Sequence, residues 1–254
     1  MSTKIMGILN VTPDSFSDGG EHFAMDEAVQ FGLQMACDGA DVIDVGGEST
    51  RPGFTAVGIE DEINRVVPVI RQLRERLPEN IQISVDTTKY DVAMACVEAG
   101  VDIINDVSGD LSSPLIELAA QKGLEYIFVH NEQTDKFEDV LMFFRHAIEE
   151  AEKAGLPKSK IMLDPGIGFG KEQDLNEEIV RRVRELTALG VPVLMAASRK
   201  RLVGNILNTP VNDRFEGDAA VTTLAIAGGC AMVRVHDVAR IKRVVAVTDK
   251  IMSE

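Results

Sequence analysis

The chain has 254 residues, of which 45% are hydrophobic and 26% charged, and its formal net charge is -15. This composition is typical of a folded globular protein with an ample core. The negative charge disfavours nucleic acid and anionic lipid as partners, because both carry the same sign. No apolar run approaches the ~20 residues of a membrane span and no signal-peptide pattern is present, so we expect a cytoplasmic protein without membrane contact.

Short apolar, β-branched runs alternate with longer helical patterns along the whole chain. The runs are typical of parallel strands that are covered on both faces. Strands are predicted at 5–9, 42–45, 81–85, 102–105, 126–129, 161–163, 191–195 and 232–235. Helices are predicted between and after them, at 26–38, 60–77, 89–99, 115–122, 137–154, 176–189, 218–228 and 238–252.

Glycines mark the ends of several predicted helices, where a left-handed residue is favourable. They are Gly39, Gly100, Gly123, Gly155 and Gly190. Repeated βα units without a Pro/Gly/Ser-rich linker favour one closed (β/α)8 TIM barrel, a single domain over residues 1–254. Alternation alone leaves a doubly wound sheet open as the alternative.

The three cysteines lie in apolar, helix-like segments. Cys37, Cys96 and Cys230 are therefore predicted to be buried free thiols, which agrees with a reducing compartment. Their spacing relative to histidine does not match a metal site.

Polar residues recur at the ends of the predicted strands, where the active sites of TIM barrels lie. They include Asn10, Asp86, Asn105, Asp106, His130, Asn131, Asp164, Ser198, Arg199, Lys200, Arg234 and His236, and the first two strands lead into the segments NVTPDSFSDGG and DVGGESTRPG. Each residue alone could simply cap the next helix, and His130 alone is more often a packing residue. Their recurrence predicts one polar rim, and the two Gly/Ser-rich segments are typical of binding loops.

The residue types at this rim indicate two kinds of recognition. Asp86, Asn105 and Asp164 offer paired acceptors and donors for a flat, amide-like heterocycle such as a pterin. Arg234, His236 and the start of the last helix predict an anion pocket, because cationic donors combine there with free helix N–H groups. Lys200 is expected to add a cationic wall beside both.

Seven segments in this order resemble the dihydropteroate synthase family across essentially the whole chain. They are GILNVTPDSFSDGG at 7–20, DVIDVGGESTRPG at 41–53, SVDTTK at 84–89, DIINDVSG at 102–109, LDPGIGFGK at 163–171, SRK at 198–200 and RVHDV at 234–238. The resemblance implies an enzyme of folate biosynthesis that joins 7,8-dihydropterin-6-ylmethyl diphosphate to 4-aminobenzoate. The products would be 7,8-dihydropteroate and pyrophosphate, formed by an SN1-like reaction that requires Mg²⁺. It also implies a homodimer and a sulfonamide target.

The same resemblance assigns roles to individual residues. Asp86, Lys200, Arg234 and His236 are expected to be catalytic. Asp86, Asn105, Asp164 and Lys200 match the pterin-binding positions, with Phe169 as an aromatic wall, whereas Asn10, Arg234 and His236 match the positions for the diphosphate. Asn10 also matches the metal position. Thr50, Arg51, Pro52 and Ser198 match the 4-aminobenzoate region, and Pro13 and Phe16 belong to a mobile first loop that closes over it.

The sequence departs from the family pattern at two places. Asn131 stands where methionine is common, in a shorter loop after the fifth strand, and Ala196 and Ala197 stand where glycine is common before SRK. Two alternative functions therefore stay open: a pterin-binding barrel that transfers the methyl group of methyltetrahydrofolate to a corrinoid protein, and a non-catalytic paralogue.

Overall fold

The computed structural model describes residues 2–12, 21–48 and 57–253, and all strands within them run parallel. The strands are β1 (Lys4–Asn10), β2 (Val42–Gly46), β3 (Gln82–Asp86), β4 (Ile103–Asp106), β5 (Glu125–Val129), β6 (Ile161–Asp164), β7 (Leu194–Met195) and β8 (Met232–Val235). The helices are α1 (Glu21–Cys37), α2 (Ile59–Arg76), α3 (Tyr90–Ala99), α4 (Pro114–Lys122), α5 (Phe137–Lys153), α6 (Gln173–Arg181), α7 (Val183–Thr187), α8 (Arg201–Leu207), α9 (Phe215–Ala227) and α10 (Val238–Met252).

The strands close into the predicted barrel. Their order in the 8-stranded sheet is β6-β5-β4-β3-β2-β1-β8-β7, and a parallel bridge between Leu163 and Val193 joins the two ends. The seventh strand is shorter than the predicted 191–195, because Pro192 has no N–H to donate and contributes only its carbonyl, to Leu163 N at 3.0 Å. The barrel prediction is confirmed, and the doubly wound sheet is wrong.

Side chains of alternate residues divide the core into two layers. One cluster fills the barrel interior and includes Met6, Val42, Ile103, Ile127, Met162, Leu194 and Met232. The other, larger cluster packs the outer faces of the strands against the helices. Polar residues two positions further along several strands therefore point into the barrel above the interior cluster.

Helix ends follow the predicted glycine pattern. Gly39, Gly100, Gly123, Gly155 and Gly190 all have positive φ, between 68° and 104°. At Gly123, for example, the amide bonds back to Ala119 O and Ala120 O and ends α4. These positions were predictable because the left-handed conformation is a local property of glycine.

The structure corrects the sequence analysis at three points: one predicted helix, one helix that was missed and one cysteine. The helix predicted at 176–189 is two helices, because Arg182 (φ -102°, ψ 15°) leaves the helical region between them. Helix α8 was not predicted, since its seven residues include Gly204 and have no side-chain cap that marks their start. Cys37 is an exposed free thiol at the end of α1, whereas Cys96 and Cys230 are buried as predicted.

Among the helices of the described ranges, none combines the length and the apolar content needed to cross a bilayer.

Candidate active site

The cross-strand register places several of the predicted residues in one row. Asn10 pairs with Gly46, Gly46 with Asp86, and Asp86 with Asn105. All four residues lie at the carboxyl ends of their strands. This is the end of a TIM barrel at which active sites are built.

Arg234 lies at the centre of this polar region. Its Nε donates to Asp44 Oδ2 at 2.6 Å and its Nη2 donates to Asp86 Oδ2 at 2.7 Å. The Asp44 side chain is fully buried, and those of Asp86 and Arg234 are 9% and 16% exposed. Burial alone disfavours the guanidinium charge, but the fields of Asp44 and Asp86 outweigh it and raise the Arg234 pKa.

Asp86 has an unusual protonation equilibrium for a carboxyl group. Burial raises its pKa to about 7, against the opposing field of Arg234 and with a further contribution from the nearby Asp44 charge. A positive ligand beside Asp86 would therefore shift this equilibrium towards the ionised carboxylate.

Asp44 was missed by the sequence analysis. It stands in the middle of the apolar run VIDVG, where a capping role is excluded, and its side chain points into the barrel. A charged residue inside a buried parallel strand is itself a signal, because such a charge requires a partner. The partner, Arg234, is 190 positions away in the chain and could not be deduced from spacing.

Two acceptors beside this ion pair are unsatisfied. Asn105 Nδ2 donates to Asp44 Oδ2 at 3.2 Å, but Asn105 Oδ1 and Asp44 Oδ1 have no hydrogen-bond partner among the described residues. Buried polar atoms without partners cost free energy. They are the expected binding atoms for the N–H groups of a polar ligand.

Asp164, Lys200 and Phe169 lie near this polar region, since the charges of Lys200 and Asp164 act on Asp86 and Arg234. We call the group formed by Asp44, Asp86, Asn105, Asp164, Phe169, Lys200 and Arg234 the cup. Asp164 Oδ1 accepts from Gly166 N at 2.8 Å, and burial raises the pKa of this carboxyl. Burial lowers the pKa of Lys200 to about 8, although the Asp164 charge opposes the shift. Lys200 Nζ lies 4.7 Å from the centre of the Phe169 ring. The three side chains thus combine two opposite charges with an aromatic face.

Lys171 supports this side of the cup from behind. Its buried Nζ donates to the carbonyls of His130 at 2.8 Å, Gly166 at 3.2 Å and Phe169 at 2.9 Å. Burial lowers its pKa to about 7, and the Asp164 charge opposes this. The sequence analysis gave Lys171 no role beyond its place at the end of the segment LDPGIGFGK.

Ser198 and His236 contact each other at a second centre. Ser198 Oγ lies 3.1 Å from His236 Nδ1 and 3.3 Å from His236 N. The same oxygen donates to Asp218 Oδ2 at 3.0 Å. Asp218, in the first turn of α9, was read from the sequence only as the start of a helix.

The comparisons with known proteins agree with this geometry. Residues 6–236 match the family described as pterin binding enzyme. The chain is 42% identical to a dihydropteroate synthase of Bacillus subtilis (99% of this chain, 90% of the relative) and 45% identical to one of Streptococcus pyogenes (99% and 96%). A solved Clostridium difficile dihydropteroate synthase, in the presence of pteroic acid, has 43% identity and a TM-score of 0.95, and the match covers 100% of this chain and 98% of that one.

The chain belongs to the dihydropteroate synthase family. It is accordingly a transferase of folate biosynthesis. A synthase from Xanthomonas albilineans, solved with 4-aminobenzoic acid, is similar over 100% of this chain and 94% of its own, with 39% identity and a TM-score of 0.93. These relatives favour the synthase over the methyltransferase and the non-catalytic paralogue.

Not every residue that the family resemblance singled out can be placed. Pro13, Phe16, Thr50, Arg51 and Pro52 lie outside the described residues. Beside the second of these segments, Lys89 forms ion pairs with Glu48, at 2.8 Å, and with the buried Glu62. Val57 N donates to Glu48 Oε2 at 2.7 Å, so the residues that flank 49–56 are tied to the loop after β3.

The predicted helix contribution to an anion site is weaker than expected for this synthase-family chain. Asp237 caps α10, and its side chain accepts from Arg240 N at 3.1 Å. This carboxylate occupies one helix N–H and adds negative charge at the same end. Cations and histidine must therefore provide more of any phosphate binding than the sequence analysis assumed.

The departures from the synthase pattern have clear structural positions. Asn131 Nδ2 donates to Val107 O at 2.7 Å, which joins the segments that follow β5 and β4. Ala196 and Ala197 are buried, and Ala197 packs with the outer core. His130 also points outward, and its ring packs edge-on against Phe143 with 4.9 Å between centres.

Within residues 2–12, 21–48 and 57–253, no group of three or more His, Cys, Asp or Glu side chains could hold a metal ion. Asn10 is partly buried at the end of β1 and carries an amide oxygen, a donor type that suits Mg²⁺. Since Mg²⁺ is commonly bound by one or two side chains together with substrate phosphates, this residue fits the predicted metal position.

Proposed function

We propose that the chain joins 7,8-dihydropterin-6-ylmethyl diphosphate to 4-aminobenzoate, with 7,8-dihydropteroate and pyrophosphate as products. The observation that carries this proposal is the buried cup at the carboxyl end of the barrel. There Arg234 links Asp44 to Asp86, beside unsatisfied acceptors on Asp44 and Asn105. Family membership and the ligands of the solved relatives support it.

The pterin would bind in this cup through its polar edges. Asn105 and Asp164 present acceptors for ring N–H and amino groups, and Lys200 presents a donor for the ring oxygen. Phe169 supplies an aromatic face beside Lys200. An analogue that lacks these polar groups would leave buried atoms unpaired, so strong selectivity for pterins is expected.

The reaction would begin with cleavage of the bond between the pterin methylene carbon and the diphosphate oxygen. The bonding electrons leave with the diphosphate, and the positive charge spreads over the pterin ring. Asp86 lies in a buried site where an ionised carboxylate stabilises such a cation strongly. The amine nitrogen of 4-aminobenzoate then bonds to the methylene carbon and releases one proton.

The diphosphate would be held by Arg234, His236 and Asn10. Two nitrogens of Arg234 already donate to carboxylates, so it provides mainly positive field and orientation. When bound, Mg²⁺ would neutralise charge on the departing diphosphate. Asn10 is the residue that we propose as its protein ligand.

Ser198, with Thr50, Arg51 and Pro52, is proposed to receive 4-aminobenzoate, beneath a first loop that carries Pro13 and Phe16. Water competes with the arylamine for the cation, so exclusion of water from the site would favour synthesis over hydrolysis. Sulfonamides resemble the arylamine and are expected to compete for the same place.

Product analysis tests the proposed reaction. Purified protein is incubated with the pterin diphosphate, Mg²⁺ and either 4-aminobenzoate or buffer, and pyrophosphate and dihydropteroate are quantified. We expect equal amounts of both products when the arylamine is present. Pterin binding without turnover would contradict the proposal and favour the non-catalytic paralogue.

A charge-neutral variant tests the role of Asp86. Asp86→Asn should lower kcat by roughly 100-fold or more, because a preorganised charge near a developing cation contributes several kcal/mol. The affinity for inorganic pyrophosphate should change much less. The matched control is Asp106→Asn, whose carboxylate bonds to Tyr126 Oη outside the cup. Wild-type turnover in Asp86→Asn would refute the assigned role.

We also propose that the protein is a homodimer. Helices α6 to α9 border an exposed groove of about 670 Å³ with Val180, Ile206 and Leu224 among its lining residues. The groove also carries both signs of charge, with Arg181 and Arg184 beside Glu177 and Glu216. An apolar surface with both charges can pair with its own copy about a two-fold axis.

A further inference from the structure

Asp218 is a nearly buried carboxylate that holds the turn between β7 and α8. It accepts from Ser198 Oγ at 3.0 Å, and both of its oxygens lie within 3.1 Å of Arg199 N. The turn has ligand-site side chains on both sides of Arg199, because Ser198 contacts His236 and Lys200 faces Phe169. One carboxylate thus controls the link between the two centres of the site.

The turn needs this support because Arg199 has φ +59°, a left-handed conformation at a non-glycine residue. Such a conformation is unfavourable for a residue with a side chain and persists only where its surroundings hold it. Arg214 holds the other side of the peptide, with Nη1 donating to Arg199 O at 2.7 Å and to Lys200 O at 3.1 Å. Asp218 and Arg214 therefore clamp the turn from opposite directions.

The hydrogen bonds of Ser198 determine where its proton points and which nitrogen of His236 is protonated. A serine hydroxyl has one proton to donate and two lone pairs. An ionised Asp218 can only accept, so the Ser198 proton is directed to it. One lone pair of Ser198 then accepts His236 N–H, and the contact with His236 Nδ1 is a hydrogen bond only if Nδ1 carries a proton.

We infer that Asp218 is a positioning residue which, through Ser198, keeps a proton on His236 Nδ1 and makes Nε2 the nitrogen that changes its protonation. When Nε2 also gains a proton, the His236 ring becomes a cation whose Nε2–H can donate to a phosphate oxygen. The negative charge of Asp218 stabilises this cation at a distance. The tautomer rests on the printed hydrogen bonds of Ser198 together with an ionised Asp218. Its use in diphosphate binding rests on the proposed function.

Nitrogen-15 NMR of the ligand-free protein tests the tautomer directly. The chain has 4 histidines, and a His236→Asn spectrum assigns the His236 ring. We expect the neutral wild-type ring to carry its proton on Nδ1. Asp218→Ala and Ser198→Ala should each shift the Nδ1-H to Nε2-H ratio by about tenfold towards Nε2-H, the effect of losing one charge-assisted hydrogen bond.

Three further variants separate positioning from a general loss of structure. Asp218→Asn keeps an oxygen that can accept from Ser198 and should retain more of the Nδ1-H form than Asp218→Ala. In Asp218→Ala with Arg199→Gly, glycine accepts the left-handed turn, so the fold is retained while the tautomer still changes. Thr222→Ala, one turn along the same helix and also buried, is the matched control and should leave the ring unchanged.

Binding measurements then connect the tautomer to the ligand. Asp218→Ala should weaken inorganic pyrophosphate binding in the presence of Mg²⁺ by about tenfold, the effect of losing one charge-assisted hydrogen bond to the anion. A neutral wild-type ring protonated on Nε2, or a tautomer ratio unchanged in Asp218→Ala, would overturn the inference. Failure to form dihydropteroate would instead overturn the proposed function and leave the ring assignment intact.

Discussion

Asp86 and Lys200 carry opposite charges in the same buried cup, and burial moves their pKa values towards each other. The pKa of Asp86 rises to about 7 and that of Lys200 falls to about 8. Both shifts arise because a low-dielectric site disfavours charge of either sign. Near neutral pH the two groups are therefore charged together only within a narrow interval.

This proximity predicts a bell-shaped pH profile for kcat/KM of the free enzyme. Activity should rise with pH near 7 as Asp86 ionises and fall above about 8 as Lys200 loses its proton. Lys200→Arg should remove the alkaline limb, because a guanidinium stays charged there. Steady-state kinetics between about pH 5.5 and about pH 10 measures both limbs. An alkaline limb that persists in Lys200→Arg would assign it to another group.

The burial of His130 predicts that the free energy of unfolding also depends on pH. Its ring is buried, its nitrogens have no partner among the described residues, and burial lowers its pKa from 6.5 to about 4. The folded state favours the neutral ring. The contribution of His130 to the free energy of unfolding is therefore fully present above pH 6.5 and is lost as the pH falls towards 4. The change should be about 3 kcal/mol.

Chemical denaturation of wild type and His130→Phe at pH 7 and pH 4.5 measures this contribution. The variant should lose less stability between the two pH values than the wild type. The exposed His146 lies on the same helix as Phe143, and His146→Gln should behave like the wild type. Equal losses in wild type and His130→Phe would show that His130 is not the titrating group.

At the scale of elements, the loop between β6 and α6 is determined partly by its own glycines and partly by contacts with other segments. Its glycines Gly166, Gly168 and Gly170 have φ from 58° to 82°. The sequence PGIGFG predicts such a tight loop. The sequence does not predict that Lys171 turns back under the loop, or that a Cβ on Gly166 would lie 2.1 Å from His130 O. The loop packs against His130, the residue that directly follows β5.

Lys171→Met tests this support. The variant removes the donor from three carbonyls, so it should lower the free energy of unfolding by about 3 kcal/mol. Pterin affinity should fall as well, because Phe169 lies on this loop and Asp164 ends the strand that leads into it. The control Lys153→Met removes an ion pair of a lysine that is 68% exposed and should leave stability nearly unchanged, because solvent screens such a pair. Unchanged pterin affinity in Lys171→Met would exclude the proposed support.

At the scale of the whole molecule, the cup and the groove occupy different parts of the barrel. The cup lies at the carboxyl ends of the strands, whereas the groove lies on the outer helices α6 to α9. Ile206 and Leu224 are 61% and 55% exposed there. Association through this groove would therefore bury apolar surface without covering the cup.

A charged substitution tests the proposed dimer. Leu224→Glu should convert a dimer to a monomer in analytical ultracentrifugation at micromolar concentration, because it places an unpaired charge in an apolar interface. Phe31→Glu is the control, since Phe31 is exposed on α1 outside the groove. A monomeric wild type would contradict the proposal.

The sequence by itself determined the alternation of strands and helices and most of the polar rim, and the structure decided that the sheet closes into a barrel. Strand runs, glycine helix ends and the polar residues after each strand are local patterns, so Asp86, Asn105, Asp164, Ser198, Lys200 and His236 could be named before their positions were known. Only the tertiary structure decided the partners: Asp44 with Arg234, Asp218 with Ser198, and Lys171 with His130 O. Hydrogen bonds and ion pairs join strand ends far apart in the chain, and barrel closure alone brings them within reach.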